Sequence, residues 1–166
     1  ASGRMLTNIP QDADAVVDTI SDLISAQPQL VIVASPASMH QSHAQSLLLA
    51  GIPCLIEKPL CASRAQTTAL LDVGQGLATP VAVGYCLRHM PSAQHMQQLV
   101  NSGKLGELYS IHIEVGQYLP NWRPNSDFRE SVSAQKALGG GALLELSHEI
   151  DYANWLFGPL QPKYAN

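Results

Sequence analysis

Leu30-Val31-Ile32-Val33-Ala34-Ser35-Pro36 is the stretch on which the fold turns. A continuous β-branched run stopped by Ser-Pro reads as a strand over residues 30–34 buried on both faces, as in a parallel sheet. Upstream, residues 19–26 set Ile20, Leu23 and Ile24 at helical spacing and end before Pro28. Downstream, residues 41–50 read as a helix stopped by Gly51, and residues 53–56 as a second short strand. The unit then repeats: Ser63 caps a helix reaching about Val73, Gly74 and Gly76 end it, and residues 80–85 supply a third apolar strand. This alternation predicts an α/β fold with a parallel sheet. Right-handed crossovers would bring Ser35-Pro36, Glu57-Lys58 and residues 85–88 to one edge of it, the carboxyl edge where ligands of open α/β sheets bind.

Beyond Arg88 the pattern changes. A helix over residues 91–102 and a turn over residues 103–106 lead to a strand over residues 108–115, whose Tyr109, Ile111, Ile113 and Val115 alternate inward. A polar segment, residues 116–133, precedes Gly139-Gly140-Gly141 and a helix over residues 142–157. A domain boundary near residues 88–92 divides the chain into a partial parallel-sheet unit, residues 1–90, and the start of a second α/β domain with an open sheet, residues 91–166. A length of 166 residues suits parts of two domains as well as one.

Composition narrows the partners. Hydrophobic residues are 46% and charged residues 13% of the chain, enough apolar material for a packed core. The net charge of −4 leaves no basic stripe to neutralise a phosphate backbone, so no nucleic acid is expected. The longest apolar stretch, residues 47–56, is interrupted by Gly51 and Pro53 and falls short of the ~20 residues a membrane span needs, so no membrane association is expected. Residues 1–12 lack a secretory pattern. Cys54, Cys61 and Cys86 lack the paired spacing of a zinc site and read as reduced thiols of a cytoplasmic protein without a metal.

Several residues could carry chemistry. In Glu57-Lys58-Pro59 the proline holds the lysine extended and aims it outward, where it can donate to a substrate hydroxyl; an exposed ion pair between Glu57 and a neighbouring cation is the competing reading. Glu145, His148, Asp151 and Tyr152 fall three or four apart on one face of the predicted helix, so a carboxylate could orient the histidine as a general acid or base. A helix cap or buried polar network is the alternative for His148. Gly139-Gly140-Gly141 could let a ligand approach the backbone, or form a flexible turn, and it lacks the spacing of a dinucleotide loop. Tyr118, Trp122, Arg123 and Arg129 gather aromatic and cationic groups suited to a sugar and a phosphate, or to a protein interface.

The order of these elements carries a resemblance. Val33-Ala34-Ser35-Pro36 with His40, then Gly51 through Leu60 with Glu57-Lys58-Pro59, Val83-Gly84-Tyr85 with Arg88, Gly103-Lys104-Leu105-Gly106, and Ser147-His148-Glu149-Ile150-Asp151 leading to Trp155-Leu156-Phe157-Gly158 together resemble the Gfo/Idh/MocA oxidoreductases over nearly the whole chain. The resemblance implies a Rossmann domain followed by an α/β domain, with NAD or NADP between them. It implies that Ser35, Pro36, His40, Glu57, Lys58 and Arg88 meet the cofactor and that Lys58 and His148 are the catalytic pair. His148 would take the proton of the substrate hydroxyl as hydride leaves its carbon, and Lys58 would position that hydroxyl. Tyr118, Trp122, Arg123, Arg129, Glu145 and Asp151 would contact substrate, with Asp151 also suited to a structural role.

The implied activity is hydride transfer between a nicotinamide cofactor and a sugar, cyclitol or nucleotide-linked sugar. An NAD-dependent glycosidase of the same family, or a non-catalytic sugar-binding or interaction protein retaining the fold, are the alternatives. The full-length protein is expected to be a homo-oligomer, its open sheet covered by a partner subunit. Many members place an Asp four residues before the histidine; here Leu144 holds that position and Glu145 stands three before, which leaves the second acid open. Ser2-Gly3-Arg4 matches the end of the family's second strand, where an arginine favours NADP slightly over NAD. The family's initial strand and Gly-x-Gly-x-x-Gly loop are not among these residues, so the chain is expected to be a central portion of a longer enzyme and inactive alone. Sequencing upstream of Ala1 is expected to reveal that strand and loop; a different segment there would contradict the expectation.

Overall fold

The computed structural model describes residues 12–123 and 127–164. The expected strand end and NADP contact at Ser2-Gly3-Arg4 therefore lie outside the described residues. Three short strands, β1 (Val31–Val33), β2 (Cys54–Ile56) and β3 (Val81–Val83), form a parallel sheet in the order β1-β2-β3. Val33 stands in register with Ile56, and Ile56 with Val83. The strand exits therefore share one edge, as the sequence pattern predicts.

Strand order that follows chain order sends both right-handed crossovers to the same face. The crossover helices α2 (Ala37–Leu49) and α3 (Arg64–Gln75) pack on each other and on that face. Ala44, Leu47, Leu48 and Leu70 meet Val33, Cys54 and Ile56 in the core, and the short helix α1 (Ile20–Ser25) adds Ile24 at its margin. The opposite face has no covering layer among the described residues. Burial of residues 30–34 on both faces is thus not observed: Ile32, which alternates away from the helices, is 61% exposed.

Local signals set the helix ends. Pro36 takes the N-cap of α2 with φ −56°, so α2 starts four residues before the predicted Gln41. Ser63 Oγ accepts from Gln66 N at 3.3 Å to cap α3, which runs through Gly74 and stops at Gly76. The thiols of Cys54 and Cys61 are buried and free, and burial raises both pKa values.

After β3 come a 3-10 turn (Cys86–His89) and α4 (Pro91–Asn101), which opens on its proline. The strand expected over residues 108–115 does not form. A strand needs a partner for its backbone groups, and no backbone hydrogen bond joins this stretch to another segment among the described residues. Of the four side chains expected to point inward, Tyr109, Ile111 and Val115 are exposed and Ile113 is half-buried. The polar segment and its continuation are more ordered than the sequence suggests, forming α5 (Leu119–Trp122) and successive 3-10 turns (Phe128–Glu130, Val132–Ala134, Lys136–Leu138). The expected single helix over residues 142–157 is two, α6 (Ala142–Glu145) and α7 (Ser147–Phe157). No helix of the described residues is long and apolar enough to cross a membrane.

Leu47 has no solvent exposure and sits where α2 meets the sheet. Leu47→Ala is expected to cost about 2–5 kcal/mol of stability, read from urea unfolding. A loss below about 1 kcal/mol would contradict the packing described.

Candidate active site

A cleft of about 360 Å³ opens at the exits of β1 and β2. Its walls bring together seven of the expected site residues, Ser35, Pro36, His40, Glu57, Lys58, Arg123 and Glu145. Val132, Ser133 and Gly139, which the sequence reading did not select for the site's walls, also line it.

His40 is 1% exposed. Its Nδ1 lies 2.9 Å from the Pro59 carbonyl oxygen and its Nε2 2.8 Å from that of Ser35. One ring thus joins the loop after β1 to the turn after β2. Ser35 Oγ lies 3.1 Å from Nδ1 of His43, one turn further along α2.

Beyond β2, Glu57 is exposed and Lys58 turns inward, its side chain 19% exposed. Gly84 lets the next strand pass this turn: a Cβ there would stand 3.2 Å from the Glu57 carboxylate. The Lys58 ammonium does not point freely outward. It donates to the Glu145 carbonyl at 2.8 Å and lies 3.5 Å from the Glu145 carboxylate, 87 residues away in sequence. Lys58 is therefore paired with Glu145, and the competing reading of an ion pair built on Glu57 does not describe it.

That bond falls where the helix breaks. In an uninterrupted α-helix the Glu145 carbonyl would accept from Glu149 N. Lys58 occupies it, Glu149 N turns to Leu146 O at 3.3 Å, and Leu146 leaves helical geometry at φ −99°, ψ 26°. Glu145 consequently stands apart from the stripe expected to join it to His148 and Asp151.

The glycine triplet packs closely. Gly139 has φ +89°, and a Cβ there would stand 2.6 Å from the Ala37 Cβ at the start of α2. At Gly140 a Cβ would collide with the Val132 carbonyl. Both residues are buried, so the expected flexible turn is a close backbone approach that seats residues 132–141 against the sheet edge.

A second cavity adjoins the exit of β3, lined by Tyr85, Arg88, Asp151 and Trp155 among others. Arg88, expected at the cofactor, and Asp151, expected at the substrate, bind each other: Arg88 Nε donates to Asp151 Oδ2 at 2.7 Å and Nη2 to Oδ1 at 2.5 Å. The carboxylate raises the pKa of the Arg88 guanidinium further. His148 lies outside the Lys58 cleft, its ring edge-on to Tyr85. Its Nδ1 is buried without a hydrogen-bond partner among the described residues, as are Ser147 Oγ and Glu149 Oε2.

Comparison with known proteins places this arrangement. Residues 7–85 match the oxidoreductase family with the NAD-binding Rossmann fold, and residues 93–166 match the GFO/IDH/MocA C-terminal domain. The chain belongs to the Gfo/Idh/MocA oxidoreductase family. It is 34% identical over 145 residues to an uncharacterized oxidoreductase of Synechocystis sp., covering 87% of this chain and 38% of that protein. It is 31% identical over 139 residues to inositol 2-dehydrogenase 2 of Saccharopolyspora erythraea, covering 80% and 36%. The structure of the Bacillus subtilis oxidoreductase yvaA shares the fold with a TM-score of 0.69 at 23% identity, covering 87% of this chain and 38% of that one. The chain thus spans well under half the length of these relatives.

Within this Gfo/Idh/MocA chain the aromatic-cationic loop is divided. Arg123 reaches the Lys58 cleft. Tyr118 is 71% exposed, Trp122 is exposed, and neither lines the cleft. Arg129 lies over the Phe128 ring and 3.7 Å from Asp127; residues 124–126 lie outside the described residues. Sequence reading also missed Tyr85 and Trp155 as partners of His148 and Arg88. Trp155 could have been found, since it stands four residues after Asp151 on the same helical face. Ser133, buried in the cleft wall by a 3-10 turn, left no signal.

Burial, and secondarily the neighbouring His40, lowers the His43 pKa below its ordinary 6.5. The folded chain therefore sheds a proton that the unfolded chain holds. The stability this contributes is complete above 6.5 and is lost as pH falls through 6.5 toward the lowered value. His43→Gln is expected to flatten that part of the curve, measured as urea midpoints between roughly pH 5 and 8. An unchanged slope would contradict the burial of this ring.

Proposed function

We propose that the protein containing this chain is a nicotinamide-dependent dehydrogenase acting on a hydroxyl-bearing carbon of a sugar, cyclitol or nucleotide-linked sugar. The observation that carries it is Lys58, held at the carboxyl edge of a parallel sheet by Glu145 with its ammonium in a mixed-charge cleft. The resemblance to an inositol 2-dehydrogenase supports the substrate class.

The cleft suits a nicotinamide. Its carboxamide both donates and accepts hydrogen bonds, and Glu57 offers acceptors where Lys58 and Arg123 offer donors. When bound, the cofactor supplies the hydride acceptor. Ser35, Pro36 and the loop fixed by His40 form the wall against it. Arg4, outside the described residues, is the cation suited to the extra phosphate of NADP and supports the slight lean that way.

Lys58 donates to the substrate hydroxyl and fixes its direction, and Glu145 keeps the ammonium in place. His148, which lies outside the Lys58 cleft in this structure, is the residue assigned to hold the hydroxyl proton as the carbon is oxidised. Glu145, three residues before it, is the second acid. Arg123 contacts the substrate from the cleft wall, and Tyr118, Trp122 and Arg129 contribute only where a larger substrate extends beyond it. The division into residues 1–90 and 91–166, a cytoplasmic location and homo-oligomeric assembly belong to the same proposal; the two family matches, which leave residues 86–92 between them, support the division.

Lys58→Ala and His148→Ala in the full-length protein are each expected to lower kcat by about 10²–10⁴-fold, followed by nicotinamide absorbance with inositol, glucosides and nucleotide sugars. Parent-like turnover by both variants would overturn the assignment. Substrate cleavage without net cofactor turnover would replace the dehydrogenase with a glycosidase.

A further inference from the structure

Tyr85 and Arg88 stand three residues apart at the 3-10 turn Cys86–His89, a geometry in which residues i and i+3 eclipse. His148 and Asp151 stand three apart on one face of α7. The two spacings mesh. The Tyr85 ring meets His148 edge-on, with centroids 5.7 Å apart and planes at 82°. Three residues further along both elements, Arg88 engages Asp151 through two parallel bonds and lies 6.0 Å from the centre of the Trp155 ring.

We infer that Tyr85 and Arg88 are positioning residues for His148: the turn after β3 fixes the rotation and height of α7, so that the imidazole is presented in one orientation. The inference rests on the role proposed for His148. Three observations carry it. The Asp151 side chain is only 10% exposed, so its charge needs the partner it has. The bond is bidentate, which fixes direction as well as distance. The cavity beside Arg88 shares no lining residue with the Lys58 cleft, and the guanidinium's bonds go to Asp151 of α7.

The test uses the full-length protein. Arg88→Lys keeps the charge and removes the planar fork. It is expected to lower kcat on the order of 100-fold with KM for the dinucleotide little changed, and to shift the His148 ring resonances in ¹H–¹⁵N spectra, assigned by their loss in His148→Gln. Tyr85→Leu is expected to act in the same sense, and Tyr85→Phe, which keeps the ring edge, to recover what Tyr85→Leu loses; this pair carries the test if Arg88→Lys fails to fold. A raised KM for the dinucleotide with kcat retained would make Arg88 a cofactor ligand and overturn the inference. Unchanged His148 resonances in Arg88→Lys and Tyr85→Leu would overturn it as well. Shifted resonances alongside full activity of His148→Ala would leave the coupling standing and remove the catalytic role of His148 instead.

Discussion

A ring as buried as His40 must find a partner inside the protein, and its two nitrogens stand within hydrogen-bond distance of carbonyl oxygens from different loops, to one of which a neutral ring donates. The Ser35 carbonyl follows β1 and the Pro59 carbonyl ends the turn after β2, so the contact ties together the two loops that form the cleft. Parallel strands deliver their exits to one edge, but nothing in strand pairing fixes where the loops beyond them run. His40 supplies that fixing, from the first turns of a helix that is itself buried against the sheet. Lys58 is the residue next to Pro59, so the direction in which its ammonium leaves the sheet depends on the same buried ring.

The later part of the chain reaches this edge through contacts that demand small residues. Gly139 lies against the start of α2 and Gly140 against the Val132 carbonyl, distances that no side chain tolerates. Once there, α6 ends with its last carbonyl facing Lys58. A charge-assisted bond of this kind contributes about 1.5–3 kcal/mol, enough to compete with the single helical bond it replaces. The helix break coincides with the site: the Glu145 carbonyl, which accepts no helical bond from Glu149, accepts from the lysine.

The local elements of the first 90 residues were largely legible in sequence, because caps, glycines and β-branched runs act over short distances. Ser63 marks its helix where the structure places it, and just beyond this stretch Pro91 does the same. Exposure was less legible: Ile32 looks like a core residue in a five-residue apolar run, and only strand order reveals that its face is uncovered. The alternation over residues 108–115 describes a strand, yet alternation is half of a strand and a hydrogen-bonding partner is the other half. At the site, residue types were legible and pairings were not. Lys58, Glu145, Arg88 and Asp151 were each selected for contact with a ligand, whereas the structure pairs them across 87 and 63 residues. No local spacing encodes such distances.

Those two pairings have a common geometry around His148. Glu145 stands three residues before it and Asp151 three residues after. Glu145 is held by the lysine leaving β2, and Asp151 by the arginine leaving β3. Glu145 and Asp151 stand six residues apart, on either side of the helix break, and each is held by a cation that follows a different strand of the sheet. The histidine between them is located by both strands at once. Its position depends on the sheet edge rather than on α7 alone, and the helix break at Leu146 lets the first acid turn toward Lys58 while the second keeps its place on the helix.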